Sequence, residues 1–186
     1  DIIGTLALSA NEEGLDTYIV SGDKDFMQLM NDHIFMYAPG TRKSPDPVIY
    51  DPKKVEEKWG VPPEKMIDLL GLMGDSSDNV PGVAGVGEKT AVKLINAYGS
   101  LEGALANADK VTNKRVHKGL KEGAENARLS KELVTILTDV ELACQVDDLL
   151  KKDMDLDACT EKFRELEFHA LLKQLSSELG LEDKKP

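Results

Sequence analysis

The run Gly74-Asp75-Ser76-Ser77-Asp78-Asn79-Val80-Pro81-Gly82-Val83-Ala84-Gly85-Val86-Gly87-Glu88-Lys89-Thr90 limits what this chain can fold into more than any other stretch. The part from Pro81 to Gly87 is apolar and punctuated by glycines at 82, 85 and 87, which permit positive φ and the close approach of another backbone and so read as a hairpin. From Thr90 to Tyr98 helical spacing returns, and Gly99 stops it. Ahead of the run, Pro62-Pro63 opens a helix with Met66, Ile67, Leu69, Leu70 and Met73 as its apolar face. The sequence therefore predicts two helices joined by an aspartate-bearing turn and a glycine hairpin.

The flanking segments supply an α/β frame. Ile2, Ile3, Leu6, Ala7 and Ala10 recur at helical spacing. Tyr18-Ile19-Val20 reads as a buried strand, the segment from His33 to Tyr37 as a second, and the one from Val48 to Tyr50 as a third. Asp51 and Pro52 start a helix that carries Val55 and Trp59 and ends at Gly60. Ser100 caps another. Helical pattern resumes from Lys114 to Thr138, and Thr160 to Leu179 is amphipathic, with a frayed tail from Glu182 to Pro186.

Four aspartates stand where chemistry would use them. Asp23 and Asp25 follow the first strand, at the end of an α/β sheet where ligands bind. In an extended segment, residues two apart point the same way. Asp75 and Asp78, three apart, share a face if their turn is helical. Two such pairs meeting in space would form an anionic oxygen pocket suited to Mg²⁺ or Mn²⁺, which polarises a phosphodiester and supplies hydroxide near neutral pH. Each pair also has a plainer reading: Asp23-Lys24-Asp25 as a capped turn, and Asp75 to Asn79 as a helix end with Asx turns.

The hairpin from Pro81 to Gly87 allows another backbone to approach closely. Free amides after Gly87 suit a phosphate, with Lys89 adding charge and Thr90 a hydroxyl. Such contacts position a duplex without reading its sequence. The plainer reading is a tight turn between packed helices. A formal net charge of -11 argues against a nucleic-acid partner, but residues 75–128 carry 8 basic and 7 acidic side chains. Lys89, Lys93, Lys110, Lys114, Arg115, Lys118, Lys121 and Arg128 could form a local basic face. His33, His117 and His169 lack triad or zinc spacing, Trp59 reads as core, and Cys144 and Cys159 read as ordinary reduced thiols.

Asp23-Lys24-Asp25, the stretch from Trp59 to Pro63, the whole of 74–90 and the later Tyr98-Gly99-Ser100-Leu101 resemble the 5′ nuclease domain of bacterial DNA polymerase I, within the flap endonuclease superfamily. The resemblance covers residues 1–142 best. It implies the remnant of a mainly parallel α/β sheet flanked by helices, of PIN-like or resolvase-like type, with a helical lobe carrying a helix-hairpin-helix element. The implied boundaries are 1–74 for the end of the nuclease core, 75–142 for the lobe and 143–186 for an extension toward a next domain.

The resemblance further implies two-metal hydrolysis at 5′ ends and 5′ flaps by a bacterial, cytoplasmic enzyme of primer removal and repair, with polymerase domains in the same polypeptide and no membrane. Asp23, Asp25, Asp75 and Asp78 match the metal-binding carboxylates. Asp1 matches the last acid of an acidic run. Gly82, Gly85, Val86, Gly87, Lys89, Thr90 and Lys93 fall on the DNA-holding hairpin, where relatives also bind K⁺ through carbonyls. The family's opening segment, with a further metal-binding aspartate and the basic arch, has no counterpart in these 186 residues. With no initial methionine, the chain reads as a fragment, expected to be catalytically weak or inactive alone. Two other expectations stand beside this one: a non-catalytic duplex-binding module, and a stand-alone bacterial 5′-3′ exonuclease.

Overall fold

The computed structural model describes residues 1–42 and 44–178; the tail read as frayed lies outside them. The chain divides into two compact units, residues 1–146 and 147–186.

The first unit opens with α1 (Ile2–Glu12), whose first turn closes by a bond from the Thr5 N–H to the Asp1 carbonyl at 2.8 Å. β1 (Thr17–Val20) then pairs in parallel with β2 (Ile34–Ala38), Thr17 opposite Ile34, and β3 (Val48–Tyr50) pairs with β2 antiparallel. The sheet is thus small and mixed. The loop from β2 to β3 is too short for the crossover that a parallel return needs, so the chain turns straight back. Ile19, Ile34 and Met36 bury one face, while Tyr18 stacks on Phe35 on the other, with ring centroids 5.1 Å apart.

α2 (Pro52–Trp59) begins as its sequence predicts: the Lys54 N–H donates to Asp51 Oδ1 at 2.7 Å and Pro52 takes the first position. α3 (Met66–Met73) is the centre of the unit. Its Met66, Leu69, Leu70 and Leu72 are fully buried, each worth roughly 2 kcal/mol of removed apolar surface. α4 (Glu88–Tyr98) and α5 (Leu101–Ala106) pack around it, and Ser100 Oγ accepts the Gly103 N–H at 3.0 Å to start α5.

The helical pattern from Lys114 to Thr138 is two helices rather than one, α6 (Lys114–Glu122) and α7 (Ala124–Val134). Gly123 ends the first, its N–H donating to Gly119 at 2.7 Å, and its carbonyl opens the second by accepting from Ala127. The turn lets α7 lie along α3, where Lys131 meets the buried Asp68 at 2.7 Å. α7 stops at Val134 because Gln28 takes the Val134 carbonyl and the Ile136 N–H, holding the chain extended.

The second unit is a helix pair, α8 (Leu156–Glu165) and α9 (His169–Glu178), where the sequence suggested a single amphipathic stretch. Glu167 adopts φ +55° between them, and Phe163 meets Phe168 across the turn at 6.3 Å. No helix among the described residues is long and apolar enough to cross a membrane.

Candidate active site

Immediately past β1, the chain makes a capped turn. The Asp23 N–H donates to Ser21 Oγ at 3.0 Å, and Asp23 Oδ1 accepts the Asp25 N–H at 3.0 Å. Asp23 therefore caps the 3-10 turn Lys24–Leu29, with Asp25 in its first turn. The extended arrangement expected from the spacing of two does not form, because the cap curls the backbone at once. Two side chains brace this turn. Trp59 Nε1 donates to the sulfur of buried Met27 at 2.8 Å, and Gln28 Nε2 donates to the carbonyls of Asp25 and Val134, both at 2.8 Å.

Asp75 and Asp78 lie on a closed loop rather than a helix. α3 ends at Met73, and Asp75 and Val80 exchange both backbone hydrogen bonds, at 3.0 and 2.7 Å. Within that loop Asp75 Oδ1 accepts the Ser77 N–H at 2.8 Å, and Asn79 takes φ +57° to complete the turn. Lys24 bridges the two carboxylate segments through an ion pair with Asp75, whose side chain is 9% exposed.

These charges act on one another. Burial, then the neighbouring Asp23, pushes the Asp25 carboxyl up to about 6; Asp75 and Asp78 push the same way and Lys24 opposes. The Lys24 bond, helped by the Ser77 N–H, holds Asp75 below its ordinary value. Burial pulls Lys24 down, yet its bond and attraction to Asp75, with the charges of Asp25 and Asp23, leave it above the usual ammonium range. Asp25 Oδ1 is buried without a hydrogen-bond partner.

A half-buried carboxylate with an orphaned oxygen, among three further carboxylates, is the donor chemistry of a hard divalent cation. Among the described residues, however, no three His, Cys, Asp or Glu stand close enough to ligate one ion. Charges perturb one another over several ångströms, whereas ligation needs about 2 Å; here the Lys24 ammonium supplies the positive charge. Asp1 is used otherwise: its Oδ1 accepts the Leu137 N–H at 2.9 Å, and it is not among the charges that shift Asp25.

The glycine hairpin is built onto α3 and α7. A Cβ on Gly82 (φ +61°) would fall 2.5 Å from the Gly74 nitrogen, and one on Gly74 (φ +71°) would fall 2.6 Å from the Val80 carbonyl oxygen. Both positions require glycine for backbone conformation and for space. The Gly82 N–H donates to the fully buried Ser130 Oγ at 2.8 Å, and the Val83 N–H to the Leu72 carbonyl at 2.8 Å. Val83 and Val86 are buried, so Val86 anchors the hairpin while Gly85 and Gly87 stay accessible. α4 starts after Gly87 without a side-chain cap, leaving its first amides, at Glu88 and Lys89, with no intrahelical acceptor. Lys89 and Lys93 are exposed, and Thr90 is half-buried.

The basic residues of this region sort into two sets. Lys121 pairs with Asp109, Arg128 with Glu102 and Glu125, and Lys118 loosely with Glu122. The side chains of Lys89, Lys93, Lys110, Lys114 and Arg115 have no acid partner among the described residues. The histidines are structural where their contacts are visible: His33 Nδ1 meets Asp16 at 2.8 Å and His117 Nδ1 meets the Ala108 carbonyl at 2.9 Å. Sequence reasoning missed Gln28, Ser130 and the Lys24–Asp75 pair. Only the last left a signal, a lysine between two aspartates.

A sheet end and a closed loop bearing paired carboxylates, joined to a glycine hairpin on a helical bundle, define a resolvase-like α/β unit that leads into a helical unit of SAM type. The chain belongs to the 5′-3′ exonuclease family: residues 1–60 match its N-terminal resolvase-like domain and residues 61–157 its C-terminal SAM fold. DNA polymerase I of Bacillus subtilis (strain 168) is 44% identical over 179 residues, covering 96% of this chain and 20% of the relative. DNA polymerase I of Bacillus caldotenax is 40% identical over 185 residues, covering 99% and 21%. The chain thus spans about a fifth of the length of these relatives. Among solved structures, the T5 D15 protein co-crystallised with metal ions superposes with a TM-score of 0.61 at 19% identity, over 72% of this chain and 48% of that one. The catalytic core of Rad2 in complex with DNA substrate superposes at 0.57 and 16% identity, over 87% and 56%. These two likenesses concern the fold.

Proposed function

We propose that this chain is part of the nuclease machinery of a bacterial DNA polymerase I that hydrolyses phosphodiesters at 5′ ends and 5′ flaps or nicks in the cytoplasm, beside polymerase domains of the same polypeptide, and that these 186 residues alone are catalytically weak or inactive. Its parts are the end of the nuclease core at 1–74, a duplex-gripping lobe at 75–142 and an extension at 143–186. The observation that carries the reading is the orphaned, half-buried Asp25 carboxylate facing the charges of Asp23, Asp75 and Asp78.

Asp23, Asp25, Asp75 and Asp78 would hold Mg²⁺ or Mn²⁺, which when bound polarises the scissile phosphodiester and lowers the pKa of water. The chain's own work is to aim the carboxylates through the Gln28 brace and the Asp75–Val80 loop, and to hold the duplex. Gly85 and Gly87 would offer backbone to it, with Gly82 tying the hairpin to Ser130, Val86 anchoring it in the core, and K⁺ as a further occupant of the hairpin carbonyls. Lys89, Lys93 and Thr90 would meet phosphates. Asp1 has its carboxylate committed to Leu137 and is left outside the ligand set.

One experiment tests the metal reading: titration of the chain with Mn²⁺, followed by calorimetry and by the spin resonance of free Mn²⁺. Wild type should take up the ion, and Asp25→Asn with Asp75→Asn should not. Equal uptake by both proteins would refute the ligand assignment. A second reading, a duplex-binding module without chemistry, draws on the absence of a preassembled ligand group among the described residues. Duplex binding with no Mn²⁺ uptake would favour it.

A further inference from the structure

We propose that the groove beside the hairpin, between it and α6–α7, is a second backbone-phosphate site, with Arg115 as its main ligand and Lys118 in support. The groove has a volume of about 380 Å³ and is lined by Gly82 and Ala84 of the hairpin, Arg115, Lys118 and Glu122 of α6, and Asn126 of α7. The inference rests on reading the hairpin as a duplex grip, and adds a contact on a separate element.

Three observations carry it. The first is how α6 meets the hairpin. A Cβ on Gly119 would stand 2.1 Å from the Ala84 carbonyl oxygen, so the two backbones touch. Arg115, Lys118 and Glu122 follow one another on the same face of α6 and therefore rim the groove together. A Cβ on Gly85 (φ +85°) would lie 2.8 Å from Arg115 Cγ and 3.0 Å from its Nε. The arginine stem thus lies across a hairpin residue that has no side chain.

The second is availability. Arg115 is exposed, and its guanidinium makes no hydrogen bond or ion pair among the described residues. Lys118 has only Glu122, at 3.8 Å, an exposed pair worth little. Lys121, Arg128 and Lys131 on the same helices are instead committed at 2.6 to 2.9 Å. The third is chemistry. Asn113 already takes the Arg115 and Val116 N–H groups at 3.0 and 3.2 Å, so the start of α6 has spent those donors. An anion here must be held by side chains, and a planar guanidinium with a spare fork suits a phosphodiester.

The test is fluorescence anisotropy of a short mixed-sequence duplex in EDTA across a KCl series, with the whole chain. Arg115→Gln keeps the packed stem and removes the charge. It should weaken binding roughly fivefold at moderate salt and lower the salt slope by about one ion, alike for different duplex sequences. Glu122→Gln frees Lys118 and removes an acid from the rim; it should tighten binding roughly twofold, a gain that mere damage to α6 would not give. If wild type binds and Lys89→Ala weakens binding while Arg115→Gln matches wild type in affinity and slope, the groove is not a phosphate site and the hairpin reading stands. A loss confined to some sequences would also overturn it. If wild type binds no duplex, the hairpin reading itself fails and this inference fails with it.

Discussion

The Gly82 N–H, at the crossing of two glycine backbones, donates to the hydroxyl of Ser130, a side chain with no exposed surface, 2.8 Å away and 48 residues along the chain. The hairpin is thus suspended from α7, while α7 is joined to α3 through Lys131 and Asp68. The hairpin is therefore mechanically connected to the helix that ends in the Asp75 loop.

Removing the hydroxyl should show this. Ser130→Ala leaves a buried N–H without a partner, and a loss of about 1–3 kcal/mol is expected by urea unfolding. Ser130→Cys, a weaker acceptor of similar size, should fall between. An unchanged unfolding midpoint for the alanine variant would mean that the Gly82 amide is served otherwise.

Gly82→Ala should cost more. The added carbon would meet main-chain atoms of Gly74 and Met73 at 2.5 and 2.7 Å, and φ is +61°. Strain and clash together should exceed about 3 kcal/mol. Gly87→Ala has nothing within 4 Å of its added carbon and should be close to neutral in the same measurement.

Asp25 sets a pH dependence. Its folded pKa, about 6, lies above the roughly 3.9 of an unfolded aspartate, so the folded state holds the proton more tightly. That stabilisation is complete below about pH 4 and is lost as pH rises through about 6. Half the group is solvated, so screening reduces the effect to about 1 kcal/mol. Asp75, held low by Lys24, works in the opposite sense and loses its contribution as pH falls. The difference between wild type and Asp25→Asn in EDTA isolates the first effect. Wild type should lose stability relative to the variant between about pH 4 and 6.5. Parallel profiles would refute the shift.

Lys24 should compete with divalent ions. Lys24→Met removes the ammonium from Asp75, and Mn²⁺ uptake is expected to tighten several-fold while the metal-free protein loses stability. Weaker uptake in the variant would show that the lysine helps to shape the site rather than standing in for the ion.

Much of this was legible in the sequence, for identifiable reasons. The turn at 74–87 follows from glycine and proline, whose backbone preferences are local, and the Asp51-Pro52 and Ser100 starts are local capping chemistry. Asp23 and Asp25 were placed correctly past β1, but their extended geometry was not, since the cap bond from Asp25 to Asp23 depends on a 3-10 turn that two residues of spacing cannot reveal. The break at Gly123 was hidden because the apolar period runs through it. Gln28 and Ser130 left no signal at all: their partners lie 106 and 48 residues away.

Gln28 has a consequence for synthesis. Its amide joins Asp25 to Val134 and Ile136, so the first carboxylate turn is completed by residues made over a hundred positions later. A nascent chain halted before residue 134 would hold the Asp23–Asp25 turn by the Trp59 contact alone, without the Gln28 link to Val134 and Ile136. The Asp23–Asp25 turn would therefore gain its link to α7 only after the glycine hairpin, which itself hangs from Ser130 of α7, had been translated, so the two segments settle together rather than in chain order.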